Sequence, residues 1–274
     1  MSVPNLHPDL ETSHAGVDSS IDPALDPSIP HPPTDLESDD GEPLESPWHR
    51  AAMNFLIESV TYYYRDRSDF FVGGNMFLHY SDQKVWNREF RGPDFFFVWG
   101  VDRYRNRDYY ATWLEGGHMP NVIIELSSPS TARVDRVVKL DLYQNILRTP
   151  EYFIFDPETN RLDGYRLLDG RYVPLEAKEQ GRLWSKELAL WLGAWSGPFQ
   201  GVVATWPRFF QPEGQLVLLE GEAEFQRAEQ ERQRAEEERT RADAERRRAE
   251  AAELENARLR RELEMLRGGT QPKS

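Results

Sequence analysis

The 274-residue sequence contains no cysteine, which excludes disulfide bonds, thiolate zinc sites and cysteine nucleophiles. It also lacks any apolar run close to the roughly 20 residues that a membrane-spanning helix needs. The N-terminus has neither the basic start nor the apolar stretch of a secretory signal peptide. These absences predict a cytoplasmic protein that does not enter a membrane.

Positive charge is also scarce, and the formal net charge is −14. At face value this argues against a nucleic-acid partner, because phosphate binding needs local positive charge. The imbalance is uneven, however, since residues 1–46 hold 11 acidic residues, eight prolines and no Lys or Arg. That composition predicts a disordered leader. Residues 47–219 hold 21 acidic and 20 basic residues, so the domain predicted over this range is nearly neutral.

A long helix rich in Glu, Arg and Ala is predicted over residues 220–267, followed by a disordered tail at 268–274. Alanine recurs every seven residues from Ala228 to Ala249, but a second apolar row joins it only from about Ala249 onward. Two interpretations remain open. The favoured one is a homo-oligomer formed through this helix, and the other is a solvated helix held by Glu–Arg pairs.

The middle region follows the order helix, strand, strand, strand, helix, strand, hairpin, which predicts an α/β fold with a mixed sheet. The hairpin is marked by Asp169-Gly170, a strong turn signal. Residues 181–210 contain four tryptophans, and we expect them to pack against the sheet rather than to stack on bases. The predicted elements are helix 48–64, strands 70–80, 93–100, 121–126 and 151–155, helix 132–147, and the hairpin 162–168 with 171–175.

Two acidic residues stand out because of their positions on buried strands. Asp94 precedes the apolar run 95–98, and Glu125 ends the run 121–126. A carboxylate beside a buried strand is costly unless it is paired or bound to a metal, and two of them would repel each other. A divalent cation with hard oxygen ligands, Mg²⁺ or Mn²⁺, is the simplest remedy.

The helix after Glu125 carries Asp135, Lys139 and Tyr143 on one face, from which Lys139 can reach back over the metal site. Structural alternatives accompany each assignment: Glu125 could pair with Arg133, and Lys139 with Asp135 on an ordinary helix surface. His49 could be a packing histidine. The loop with Arg103, Arg105 and Arg107 could follow a nucleic-acid backbone, although a solvated loop is the favoured interpretation.

Several motifs in order resemble the Uma-two (Uma2) family of putative restriction endonucleases. They are Gly92-Pro93-Asp94 before an apolar strand, NVIIELSSPST at 121–131, Asp135-Arg136 with Lys139 and Tyr143, and TPEYFIFDP at 149–157. The resemblance covers about residues 42–267. It implies the PD-(D/E)XK nuclease fold, a mixed sheet flanked by helices, with a divalent metal and DNA as the substrate.

The resemblance also implies roles for individual residues. Asp94 corresponds to the aspartate of the PD motif and Glu125 to the acid of the (D/E)XK motif, with the main-chain carbonyl of Leu126 as a further metal ligand. Ser127 stands where the motif lysine is expected, and Lys139 resembles a migrated replacement. The supporting residues implied by the resemblance are Glu45 and His49, and those on the following helix are Asp135 and Tyr143. The alternative function is a catalytically silent nuclease fold that associates through its C-terminal helix.

Overall fold

The structure is a computed structural model that describes residues 46–81, 90–128, 131, 133–199 and 201–268, with side chains as far as 265. The predicted leader, except Ser46, and the tail beyond 268 lie outside the described residues. All described residues belong to one compact unit, Glu37–Ser274. Within the described part of the chain, no helix combines the length and the apolarity needed to cross a bilayer.

The first half of the unit contains α1 (Pro47–Tyr63), β1 (Phe70–Gly73), β2 (Leu78–His79), β3 (Phe95–Trp99), β4 (Tyr110–Ala111) and β5 (Val122–Leu126). A π-helical segment (Val134–Lys139) and α2 (Leu140–Asn145) then lead to β6 (Glu151–Asp156). The second half contains β7 (Arg161–Leu168), β8 (Arg171–Pro174), β9 (Leu183–Ser185), β10 (Leu190–Phe199), β11 (Val202–Phe210) and α3 (Glu220–Gly268).

A six-stranded sheet in the order β1-β3-β5-β6-β7-β8 forms the centre of the unit. Only β5 and β6 are parallel within it, and the other neighbouring pairs are antiparallel. A parallel pair needs a crossover connection, which the π-helical segment and α2 provide. The α/β fold class with a mixed sheet is therefore confirmed.

Strands β3 and β5 are buried on both faces, as their continuous apolar runs predict. Because side chains alternate along a strand, Phe95 and Phe97 of β3 pack in the core cluster that contains α1. Phe96 and Val98 pack in a second cluster with α2 residues such as Tyr143. The sheet is thus covered by a helix on each face, and Asp94 falls in the alternation on the α2 face.

One predicted strand is corrected by the structure. Residues 70–80 form two separate strands, because the chain bends at Gly73 and Gly74 and β2 pairs with β4 in a two-stranded sheet of its own. The predicted bend at the two glycines is confirmed, but the continuous strand is wrong. The ring of Phe96 lies where a Cβ on Gly73 would point, only 2.5 Å away, so the end of β1 packs closely against β3 at a glycine.

Residues 183–210 form a three-stranded antiparallel sheet, β11-β10-β9, for which the sequence pattern gave no strand prediction. This sheet packs on the α1 face, where Trp48 stacks between Phe155 and Trp206, with ring centroids 6.2 and 5.8 Å away. Trp206 is buried in the core. The prediction that the tryptophan cluster serves packing is confirmed for Trp206 and for Trp195, which packs against the same core.

The hairpin prediction is confirmed closely, with β7 and β8 joined by Asp169 and Gly170. Both turn residues have positive φ, 49° and 80°, which is the backbone of a type I′ turn. The last element, α3, spans 49 residues and is therefore about 74 Å long. Its start is tied to β11 by Arg208, which is fully buried and pairs with Glu222 at 2.7 Å.

Gly74 fixes the approach of the loop after β1 to the start of β3. A Cβ at Gly74 would lie 2.6 Å from the main-chain oxygen of Asp94 and 2.7 Å from Ile57 Cδ1. We expect Gly74→Ala to lower the free energy of unfolding by about 1–3 kcal/mol, because the added methyl group overpacks the site. Gly92→Ala is the matched control, since its Cβ meets nothing nearer than Phe77 at 3.9 Å. Urea denaturation measures both, and equal effects of the two substitutions would contradict the prediction.

Candidate functional site

The two carboxylates predicted to form a site lie at the same end of neighbouring strands. Phe95 of β3 is opposite Ile124 of β5, so the register continues to place Asp94 beside Glu125. Asp94 Oδ2 accepts a hydrogen bond from the main-chain N–H of Leu126 at 2.8 Å, and the N–H of Asp94 donates to Glu125 Oε2 at 3.5 Å. Asp94 therefore continues the pairing of β3 with β5 by one residue, and its side chain and main chain bind the two strands together.

Glu125 is 1% exposed, and its two carboxylate oxygens have separate partners. The Tyr143 hydroxyl donates to Oε1 at 2.7 Å, and Lys139 Nζ lies 3.0 Å from Oε2. Lys139 Nζ also lies 3.0 Å from Asp135 Oδ1, and Asp135 is equally buried. The pairing of Glu125 with Arg133 that the sequence left open is not the one observed.

The π-helical segment explains how Asp135 and Lys139 come to face Glu125 together. Residues four apart lie on the same face of a helix, so Asp135 and Lys139 point the same way from this segment. The segment is held to the sheet by Tyr152 of β6, whose hydroxyl donates to the main-chain oxygen of Asp135 at 3.0 Å. Short π-helical stretches are frequent at functional sites. Tyr152 was missed in the sequence, where a tyrosine in a buried strand carries no sign of such a role.

Burial dominates the electrostatics of this cluster. The pKa of Glu125 is raised to about 7, mainly by desolvation. The charge of Lys139 opposes this rise, and the charges of the nearby Asp94 and Asp135 add to it. Burial alone would lower the pKa of Lys139, but Glu125 and Asp135 raise it above its ordinary value, so the ammonium stays protonated. Desolvation and the charge of Glu125 raise the pKa of Tyr143 well above 10.0, which keeps its hydroxyl a donor.

His49 reaches the site from the opposite face of the sheet. Ser46 caps α1 by accepting a hydrogen bond from the N–H of His49 at 3.2 Å, which fixes the first turn of the helix. His49 Nε2 lies 2.5 Å from the main-chain oxygen of Leu126 and 3.8 Å from Asp94 Oδ2. The structure thus brings His49 to the site, whereas Glu45 lies outside the described residues.

The arginine-rich loop 103–107 does not present a free basic surface. Arg107 is almost fully buried and pairs with Glu115 at 2.8 Å, and Arg105 contacts the same carboxylate at 3.3 Å. Arg103 donates to the main-chain oxygens that follow α1, including that of Arg65 at 3.1 Å. The loop is largely exposed, as the favoured interpretation of a solvated loop expects, and its arginines also bind it to the body of the protein.

Oxygen atoms are the donors that this site offers to a ligand. In the described part of the chain, no three His, Cys, Asp or Glu side chains cluster closely enough to hold a metal ion. The available set consists of the carboxylates of Asp94 and Glu125 with the main-chain carbonyl of Leu126. Ser127 is buried, and its hydroxyl has no hydrogen-bonding partner among the described residues.

The raised pKa of Glu125 predicts a stability that depends on pH. Folding is favoured when Glu125 is protonated, so stability is complete below about pH 4.5 and decreases as the pH rises towards 7. We expect Glu125→Gln, a neutral isostere, to raise the free energy of unfolding at pH 8 by about 1–3 kcal/mol and by less at pH 5. Thermal unfolding in a chelating buffer at both pH values measures the difference.

The exposed Glu158 provides the matched control, because Glu158→Gln removes the same charge far from any buried group. It should leave the unfolding temperature nearly unchanged at both pH values. A Glu125→Gln variant that is less stable than the wild type at pH 8 would show instead that the Lys139 ion pair outweighs desolvation.

Comparison with known proteins assigns the chain to a family. Residues 25–198 match the Uma2 family, whose description is putative restriction endonuclease. A crystal structure of a putative nuclease belonging to DUF820 from Anabaena variabilis is 15% identical in sequence, with a TM-score of 0.39. That match covers 58% of this chain and 87% of the other. No functionally curated protein matches the chain. Because the family match spans more than half of the sequence, the chain belongs to the Uma2 family of putative restriction endonucleases.

Proposed function

We propose that this protein is an endonuclease that hydrolyses phosphodiester bonds of DNA with the help of Mg²⁺ or Mn²⁺. The observation that carries the proposal is the convergence of Asp94, Glu125 and Lys139 at one end of β3 and β5. Two carboxylates and an ammonium meet here, with Glu125 buried and with Asp94 and Lys139 partly exposed, and the buried charge is costly on its own. Membership of a family of putative restriction endonucleases supports a nuclease function.

Asp94, Glu125 and the main-chain carbonyl of Leu126 are the residues that would hold the ion. They are hard oxygen donors, which suit Mg²⁺ and Mn²⁺, and Mg²⁺ is commonly bound by one or two carboxylates while it keeps several waters. The buried carboxylate of Glu125, whose pKa is raised by desolvation, gains most from a second positive charge. When bound, such an ion polarises a phosphate oxygen and lowers the pKa of a water.

The residues of the chain itself hold and orient this chemistry. Tyr143 donates to Oε1 of Glu125 and so fixes which carboxylate edge remains available. His49 contacts the oxygen of Leu126 and limits how the carbonyl can turn. Lys139 stays protonated between Glu125 and Asp135, and its ammonium would stabilise negative charge that develops on a scissile phosphate. Asp135 acts by positioning Lys139 rather than by contacting the substrate.

One observation favours the alternative of a catalytically silent binding module. Lys139 is neutralised by two carboxylates at 3.0 Å, and Ser127 occupies the position of the usual motif lysine. In that case the domain would serve as a binding or regulatory module that associates through its C-terminal helix and does not cleave DNA. The two functions therefore differ in measurable properties, since only the nuclease needs the metal ion and needs Lys139 to act on a phosphate.

Supercoiled plasmid DNA with Mg²⁺ or Mn²⁺ tests the nuclease function directly. We expect nicking by the wild-type protein, and its loss in Asp94→Asn and Glu125→Gln, because each substitution removes a ligand charge. Lys139→Met should reduce the rate by about 10²-fold or more through loss of transition-state stabilisation. Asp141→Asn, an exposed change on α2, should leave the rate unchanged. Equal nicking by all these variants would assign the activity to a contaminant.

Titration calorimetry with Mg²⁺ separates the two candidate functions. We expect heat of binding in the wild-type protein and no binding heat in Asp94→Asn, since the carboxylate supplies an essential ligand. Binding without any DNA cleavage would favour the silent module. A flat wild-type trace would contradict the metal site and with it the nuclease function, and would favour the silent module.

A further inference from the structure

Most of α3 is exposed to solvent, although its last part carries apolar residues. Every described residue from Gln230 to Met265 is exposed, over a length of about 54 Å. The first part of this stretch is held by ion pairs within the helix, such as Arg232 with Glu229 at 2.8 Å and Arg246 with Glu250 at 3.0 Å. A charged helix of this kind can remain solvated without a partner.

The composition of the heptad changes near Ala249. A coiled-coil seam is formed by the residues at heptad positions a and d. Before Ala249, position a holds alanines from Ala228 onward, and position d holds Glu231, Glu238 and Glu245. From that residue on, position a holds Ala249, Asn256 and Leu263, and position d holds Ala252 and Leu259 and continues in the sequence with Leu266. Leu259 and Leu263 are 48% and 54% exposed, so an apolar seam lies uncovered.

The charges that flank the seam change at the same place. In a parallel pair of helices, each g residue faces the e residue five positions later in the other helix, and such pairs set orientation and partner choice. The downstream pairs are all of opposite sign: Arg248 with Glu253, Glu255 with Arg260, and Glu262 with Arg267. The upstream pairs are all arginine with arginine: 227 with 232, 234 with 239, and 241 with 246.

An antiparallel pair aligned on the same seam is complementary only in part. It would place Glu253 beside Arg260 of the second helix, but it would also place Glu255 beside Glu262, twice in the dimer, whereas every downstream pair is of opposite sign in the parallel arrangement. Asn256 favours the parallel arrangement as well, because a single asparagine at position a specifies register and a two-stranded state in parallel coiled coils. Leucine at position d is also typical of two strands.

We propose that residues 248–267 of α3 form a parallel, in-register coiled coil with a second copy of this chain. The pairing stops near Arg248, because upstream of it the seam contains facing glutamates flanked by rows of arginine. Residues 222–247 therefore remain separate arms about 39 Å long. Both nuclease-family domains are then carried on the same end of the coiled coil, one on each arm.

The mass of the full-length chain in solution tests the interface. Sedimentation equilibrium should show the wild type passing from monomer to dimer as concentration rises into the high micromolar range, since the seam is less than three heptads long. Leu259→Glu should weaken dimerisation at least tenfold, because it places a charge in the seam. Leu254→Glu, at the exposed f position on the outer face, should leave the mass unchanged.

Two further variants test the orientation, and the absence of cysteine makes the first one clean. Ala249→Cys should form a cross-linked dimer on mild oxidation, because equivalent a positions meet in a parallel pair, whereas Ala251→Cys on the outer face should not. Glu255→Arg should weaken the dimer several-fold at low salt, and adding Arg260→Glu should restore it.

A wild-type chain that stays monomeric at several hundred micromolar would overturn the proposal. Strengthening of the dimer by Glu255→Arg would assign the antiparallel arrangement and overturn the parallel one. Equal cross-linking of the two cysteine variants would show random collision rather than a seam. None of these measurements uses nuclease activity, so their outcome is independent of the proposed function.

Discussion

The buried carboxylate of Glu125 is the constraint on which the functional end of this protein depends. It lies on the central strand where antiparallel pairing gives way to parallel pairing, and water cannot stabilise its charge there. The surrounding groups replace the stabilisation that water would give to the carboxylate. Lys139 provides the opposite charge, Tyr143 provides a hydrogen bond, and the N–H of Asp94 lies against the same oxygen as Lys139. The π-helical segment and the register of β3 with β5 serve to bring these partners together.

Such an arrangement is expected to lower the stability of the fold. A carboxylate whose pKa is raised to about 7 by burial makes the fold less stable at neutral pH than a neutral side chain would. Asp94 adds to this destabilisation, because its own charge raises the same pKa. Functional sites commonly contain groups of this kind, whose pKa values are shifted by burial and by like charges. A divalent cation between Asp94 and Glu125 would relieve both effects, so metal binding at the proposed site would also stabilise the fold.

Charge elsewhere in the chain has a different organisation. The net charge of −14 describes neither the site nor the domain, because 11 acidic residues lie in the first 46 positions. Arginines that suggest a nucleic-acid surface in the sequence, such as Arg105 and Arg107, share an ion pair with Glu115 in the structure. In α3 the order of the charges matters more than their number. Glu and Arg form ion pairs within the helix in its first part. In its last part, the same residue types are ordered so that they complement the proposed second copy.

The sequence by itself determined the features that are local. The strands β3, β5 and β6, the type I′ turn at Asp169-Gly170 and the heptad rows of α3 follow from patterns within short windows. It also identified Asp94, Glu125 and Lys139 as candidates, because charges beside buried strands are conspicuous. Only the tertiary structure decided which partners they meet. The contact of His49 with Leu126 spans 77 residues, and the β9–β11 sheet forms where tryptophan spacing gives no clear period. These contacts depend on how separate elements pack, which no local pattern encodes.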